Sequence, residues 1–272
     1  IGQLTANLTK QCYYAYYASG KVEGIYTDAA HTQPKAKYYY NALGMRHKKV
    51  IYNNNYEPLQ ANVYIYDGGG SLVAVYEQDL KEAPELPFLT EIPVYAQGRV
   101  GVFSKPDGNY RYEINDHLGN VRAVVSKNNA ALYYNSTTQS TSTIAYNCVQ
   151  YTYALDDGGS TGGNAGDTLY VYSYTDYDPL GLPLAGRSFT SNAYRYGYQG
   201  QFAEYDPESG LNNFELRQYD AALGRWFVPD PYRQFHSPYN AMGNDWVNSI
   251  DPDGGKRWWQ WTRNTWFGKR IC

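Results

Sequence analysis

A short unit recurs along the chain: a tyrosine-rich run, a polar residue, a turn ending in glycine, then a second short run. The copies close on Gly20, Gly44, Gly70, Gly119, Gly181, Gly210 and Gly224. In six of them Asn41, Asp67, Asp116, Asp178, Asp206 or Asp220 stands three or four residues before the glycine. Asp or Asn at the first turn position accepts hydrogen bonds from the backbone ahead of it, and glycine takes the φ > 0 position that closes the turn. The flanking runs alternate with period two. Tyr170, Tyr172 and Tyr174 share a face, and Phe214 with Leu216 falls opposite Glu215 with Arg217. Each unit therefore predicts a β-hairpin. Hairpins added edge to edge predict an all-β fold built on one long, curved antiparallel sheet.

The turn glycines are spaced unevenly, by 24, 26, 49, 62, 29 and 14 residues. Two stretches interrupt the repeat. Lys81 to Pro93 holds three prolines and reads as an extended loop or edge crossing. Asn135 to Asp167, rich in Ser, Thr and Gly, reads as long exposed loops. Between Ser237 and Asn248 the apolar pattern is too brief to decide for or against a short helix.

Composition supports a sheet wetted on at least one face. The chain has 32 tyrosines in 272 residues, while Val, Ile, Leu and Phe together number only 50. Tyrosine suits a pleated surface that is apolar at the ring and wet at the hydroxyl. A net charge of −3 argues against disorder, which pairs low hydrophobicity with high charge. Cys12, Cys148 and Cys272 show neither a disulfide framework nor metal spacing, and His31, His47, His117 and His236 are isolated. No cofactor or metal is expected. No run of residues is long and apolar enough for a transmembrane helix. The start at Ile1, without a leader, reads as a fragment or processed product.

The Tyr-Asp-x-x-Gly units, the segment DHLGNVRAVV and above all YRYGYQGQFAEYDPESGLNNFELRQYDAALGRWFVPDP resemble the RHS/YD-repeat family. The last run looks like the RHS repeat-associated core domain in the form common in Bacteroidetes-type polymorphic toxins. The resemblance covers nearly all of residues 1–255. It implies a spiralling β-sheet that forms part of a hollow shell, closed by a C-terminal plug. The boundaries it implies are a repeat shell over 1–198, the core domain over 199–255, and the start of a variable effector or linker over 256–272. It further implies a secreted or cell-surface location, an enclosed effector on the same chain, and secretion machinery such as type IX. No nucleic acid is expected to bind the shell.

Two Asp-Pro steps mark the core segment, Asp230-Pro231 and Asp251-Pro252. Each is an ordinary turn opening. Brought together, the two carboxylates would share a proton and supply one general base and one general acid. Arg225, just upstream, would hold one of them ionised or steady an oxyanion. In the family the core segment cuts its own chain just after the second motif, which here falls near Gly255. The chain departs from the cleaving pattern twice. Arg233 stands where the first motif has glycine, and Gly255 where cleaving members usually have leucine.

The last 17 residues carry five basic and no acidic residues and four of the six tryptophans, leaving 18 basic and 26 acidic residues before them. A Trp/Arg segment can bind membrane, nucleic acid or an acidic protein surface; the plainer reading is the start of an effector, or a linker docked on the acidic body. Two functions remain in view: a delivery shell that presents and releases an effector, and a non-cleaving adhesin whose tyrosine-rich sheet contacts glycans or neighbouring cells. No Ser/His/Asp order, metal spacing or phosphate loop supports an ordinary enzyme.

Overall fold

The computed structural model describes residues 3–81, 86–96, 98–126, 130–135, 140–145, 149–152, 168–190, 194–199 and 203–259. Strands β1 (Ala6–Asn7), β2 (Cys12–Tyr16), β3 (Val22–Tyr26), β4 (Pro34–Tyr40), β5 (Arg46–Tyr52), β6 (Pro58–Tyr66) and β7 (Leu72–Asp79) follow one another as neighbours. The meander continues through β8 (Phe88–Tyr95), β9 (Arg99–Ser104), β10 (Asn109–Asn115) and β11 (Val121–Ser126). A separate hairpin joins β12 (Ala130–Asn135) to β13 (Ser140–Ala145). The chain then returns through β14 (Val149–Thr152) to β15 (Thr168–Tyr177), which pairs with β11 on one side and with β14 and β16 (Pro183–Thr190) on the other. The result is one 14-stranded antiparallel sheet.

All seven turn glycines picked out by the repeat have positive φ, from +62° at Gly224 to +95° at Gly181. Behind each of the six preceded by Asx, that residue's carbonyl accepts from the glycine N–H, as in Gly44 to Asn41 at 2.9 Å and Gly119 to Asp116 at 3.0 Å. The Asx side chains accept from the backbone ahead, with Asp67 Oδ1 2.8 Å from the N–H groups of Gly69 and Ser71. At the other end of the sheet the β3–β4 and β5–β6 turns lack this signature because they do not use glycine. His31 and Tyr56 occupy the left-handed position there, at φ +57° and +62°, after Asp28 and Asn53. The spacing of 49 residues conceals the β8–β9 hairpin around Gly98. The expected loop between Lys81 and Pro93 gives way to strand from Phe88 onward, where β8 pairs with β7 and β9. Pro93 is tolerated because its ladder partner is on β9 alone, so no bond to β7 is lost. Most of Asn135–Asp167 lies outside the described residues.

The tyrosine that ends a strand has two jobs. Register shifts fall at Tyr16, Tyr26, Tyr40, Tyr52, Tyr66, Tyr76, Tyr95 and Tyr177, and such bulges bend and twist the sheet. Where the ladder has ended, a hydroxyl takes over. Tyr40 donates to Val22 O (3.0 Å), Tyr66 to Arg46 O (2.8 Å), Tyr95 to Leu72 O (2.9 Å) and Tyr177 to Val121 O (3.3 Å). Each acceptor lies two residues beyond a turn glycine of the preceding hairpin. Successive hairpins are thereby tied at their turn ends.

From Tyr194 onward the chain crosses the sheet as a second layer. It contains four short paired strands, β17 (Glu204–Asp206), β18 (Leu211–Asn213), β19 (Gln218–Asp220) and β20 (Arg225–Trp226), and a last pair, β21 (Ser249–Ile250) with β22 (Trp258–Trp259). The stretch Ser237–Asn248 holds only a single 3-10 turn at Met242–Asn244. Leu211, Phe227 and Val228 of this layer share one core with Tyr14, Ile25, Ala36 and Tyr38 of the sheet.

Gly70→Ala meets no neighbour closer than 3.5 Å and is strained only by φ +86°, so it should lower unfolding free energy by about 1–2 kcal/mol. Gly181→Ala should cost clearly more, because its Cβ would also lie 2.5 Å from the Tyr198 ring of the crossing layer. Urea unfolding of both variants measures the difference.

Candidate functional site

Buried ion pairs fix the crossing layer to the sheet. Glu204 is met by Arg46, by Arg195 at 3.0 Å and by the Tyr64 hydroxyl at 3.0 Å. Arg195 also reaches Glu91 at 2.9 Å. Asp206 accepts from Lys49 at 2.9 Å and from the Tyr38 hydroxyl, and Lys49 also meets Glu208. Burial alone would raise Asp206, but the Lys49 ammonium and the surrounding donors hold it well below the usual carboxylate range. Burial and the Asp206 hydrogen bond push Glu208 up to about 7. Lys10 joins Asp220 at 3.0 Å at the start of the sheet.

With the layer held this way, the two Asp-Pro steps come to one buried arginine, Arg217. Its Nη2 donates to Asp251 Oδ2 at 2.9 Å, and its Nη1 lies 3.8 Å from Asp230 Oδ1. Its Nε donates to the Gly254 carbonyl, and its Nη2 reaches the Gly255 carbonyl at 3.4 Å. The guanidinium stacks on the Trp226 ring at 4.3 Å. Arg217, Asp230 and Asp251 are 3%, 4% and 1% exposed, so their interactions act with little screening by water.

The expected partner, Arg225, is elsewhere. It is exposed and donates to Gly224 O at 2.8 Å and to Asn244 Oδ1 at 3.0 Å. The physical reason lies at Phe214–Arg217, where the expected alternation breaks. The Phe214 N–H donates to Arg217 O at 3.0 Å, closing a turn that sends Arg217 inward. Nothing local in the sequence separates Arg217 from Arg225.

The Asp230 turn is tightly made. Its carboxylate accepts from the Tyr232 N–H at 2.9 Å and from the Gln234 N–H at 3.0 Å. Arg233 adopts φ +51°, in the left-handed region that favours glycine. At the second step Asp251 N–H donates to Gln199 Oε1 at 2.9 Å. Gly254 has φ +75°, and a side chain at Gly255 would come within 2.6 Å of Leu216 Cδ1 and 2.9 Å of Tyr232 Cε2. The glycine at 255 is thus matched to its packing, and a larger residue there would require the Leu216 and Tyr232 side chains to move.

Burial pushes the Asp251 carboxyl up to about 7, against the pull of Arg217 and with the Asp253 carboxylate adding to the rise. The same burial shifts Arg217 down, yet a guanidinium stays charged in a protein. Arg217 Nη1 and Asp251 Oδ1 are buried without hydrogen-bond partners, leaving one donor and one acceptor unengaged at the site. A cleft of about 720 Å³ between the Gly20 turn and residues 228–233 opens onto Asp230 and Arg217. Among the described residues no group of three or more His, Cys, Asp or Glu side chains is placed to hold a metal ion. No helix among them is long and apolar enough to cross a membrane. Cys12 is a buried free thiol; Cys148, Cys272 and the tail from residue 260 lie outside the described residues.

No family model matches the chain. Over 218 residues it is 27% identical to Salivary gland surface protein 1 of Aedes aegypti, a match covering 79% of this chain and 5% of that protein. Among solved structures it is similar to the crystal structure of TcdB2-TccC3-Cdc42, with TM-score 0.28, 16% identity, and coverage of 90% of this chain and 17% of that one. The Photorhabdus luminescens Tc holotoxin pore gives TM-score 0.26 and 16% identity over 89% of this chain and 16% of that one. The chain spans only a small part of each of these proteins.

A carboxyl raised by the fold binds its proton more tightly in the folded than in the unfolded chain. Its contribution to stability is therefore complete below about pH 4 and is lost as pH rises to about 7. For Asp251 the full loss is on the order of 4 kcal/mol. Glu208 titrates in the same direction, so the test compares urea unfolding at pH 5 and pH 8 for the wild type and Asp251→Asn. The variant should show a distinctly shallower pH dependence.

Proposed function

We propose that this chain is a section of a secreted or cell-surface β-shell, and that residues 194–259 close it and cut the chain once between Gly255 and Lys256. The segment released beyond the cut is the enclosed effector of the same chain, or the linker to it. The observation that carries this reading is the single buried guanidinium of Arg217, which joins Asp230 and Asp251 to the carbonyl groups of Gly254 and Gly255. An ordinary pair of Asp-Pro turns has no need of a shared buried cation. The resemblance to the RHS core, together with a 27% identical relative named as a surface protein, supports placing the chain outside the cell.

In this mechanism water from the adjoining cleft adds to the Gly255 carbonyl carbon. Its proton passes to Asp230, whose oxygens are held in place by the Tyr232 and Gln234 N–H groups. The oxyanion is held by Arg217 Nη2 and by Gln234 Nε2, which lies 2.7 Å from Gly255 O. Asp251, protonated up to about pH 7, gives its proton to the Lys256 nitrogen as the C–N bond breaks. The products are a Gly255 carboxyl group and a Lys256 amine.

A second reading, a non-cleaving adhesin, is favoured by the other face of the sheet. Exposed Tyr110 and Tyr112 stack with ring centroids 6.1 Å apart, and Tyr110 packs on Phe103 at 5.0 Å. Such rings are suited to stacking on sugars.

Intact-mass analysis of the purified full-length protein separates the two. The shell reading expects a fragment ending at Gly255, its formation slowing above about pH 7, absent in Asp230→Asn and Asp251→Asn, and slowed roughly 100-fold in Arg217→Lys. A wild type that stays whole between pH 5 and pH 8 removes self-cleavage and leaves the adhesin.

A further inference from the structure

We propose that Gln234, beyond donating to the oxyanion, selects the peptide bond to be cut, by clamping the backbone on both sides of Lys256. Its Nε2 donates to Gly255 O at 2.7 Å, while its Oε1 accepts from the Arg257 N–H at 3.1 Å. One planar amide therefore meets the carbonyl before Lys256 and the N–H after it, as a neighbouring strand would. The same Nε2 lies 3.3 Å from Asp230 Oδ2, and the Gln234 N–H donates to that oxygen at 3.0 Å. The clamp is thus anchored on the carboxylate assigned as the base.

Arg217 cannot make this choice by itself, because it contacts the carbonyls of both Gly254 and Gly255 and would serve either bond. Gln234 touches only the second of them. Asp253 holds the other flank, its Oδ1 accepting from the Gly255 N–H at 2.7 Å. Gln234 is exposed, so water could satisfy its amide equally well. What its two bonds add is location. They hold the Gly255–Lys256 bond, rather than Gly254–Gly255, against Asp230.

The inference rests on the self-cleavage reading, so its test has one arm that needs no cleavage. In the uncut Asp251→Asn chain, hydrogen exchange at the Arg257 amide should quicken roughly five- to tenfold on adding Gln234→Ala, as expected for losing one net hydrogen bond. Gln234→Glu keeps the acceptor for Arg257 and loses the donor to Gly255 O, so it should leave that exchange unchanged. In the chain with both aspartates, Gln234→Ala should yield fragments ending at Gly254 as well as Gly255 and cut at least tenfold more slowly, and Gln234→Glu should slow the cut as well. Unchanged Arg257 exchange in Gln234→Ala overturns the clamp. Quickened exchange with a single cut at Gly255 and an unaltered rate overturns the positioning role. If the wild type never cuts, the self-cleavage reading fails and takes the choice of bond with it, while the exchange arm still judges the clamp.

Discussion

The structure depends on buried charge where the two layers meet. Glu204 and Asp206, two residues apart in β17, both enter the interface, and Arg46, Arg195, Lys49, Tyr38 and Tyr64 converge on them. Ion pairs of this kind gain little over well-packed apolar contacts, because desolvation offsets much of the attraction. Their effect is on register. A one-residue slip of β17 would turn both carboxylates away from these partners and leave the buried Lys49, Tyr38 and Tyr64 without them. The crossing layer can therefore dock in one way, and that docking brings Arg217, Asp230 and Asp251 together.

Within the site, the need to satisfy polar groups explains the local geometry. Each aspartate opens a turn, as Asp-Pro usually does, and the Asp230 carboxylate uses part of its hydrogen-bonding capacity on the backbone. The capacity left over faces Arg217. Asp230 is rich in N–H donors, while Asp251 has one oxygen on Arg217 and the other without a partner. This asymmetry gives two chemically identical side chains different surroundings, and the proposed division into a base and an acid rests on it. Arg233 takes the left-handed conformation in the Asp230 turn, a position that glycine would occupy without strain.

The glycine turns were legible because their cause is local. A positive φ strongly favours glycine, and in six of the seven turns Asp or Asn three or four residues earlier completes the turn, so these positions could be read directly. Turns where His31 and Tyr56 accept the same φ carried no such mark. The β8 strand was hidden by its prolines, whose tolerance depends on which side of the strand lacks a partner. Asp230 and Asp251 were found through a motif, but Arg217 was passed over for Arg225. Proximity in sequence favoured Arg225, whereas the Phe214–Arg217 turn decides which arginine points inward.

The sequence by itself therefore determined the unit of construction: tyrosine, Asx and glycine at fixed offsets specify a hairpin, since turn chemistry and the two-residue period act over a few residues. It determined also that two Asp-Pro turns lie 21 residues apart near the end of the repeat. The tertiary structure decided how hairpins are tied, through tyrosine hydroxyls reaching a carbonyl some 20 residues away in the neighbouring strand. It also decided which cation the two aspartates share. Those contacts are between groups far apart in sequence, and only the docking of one layer on another brings them within hydrogen-bonding distance.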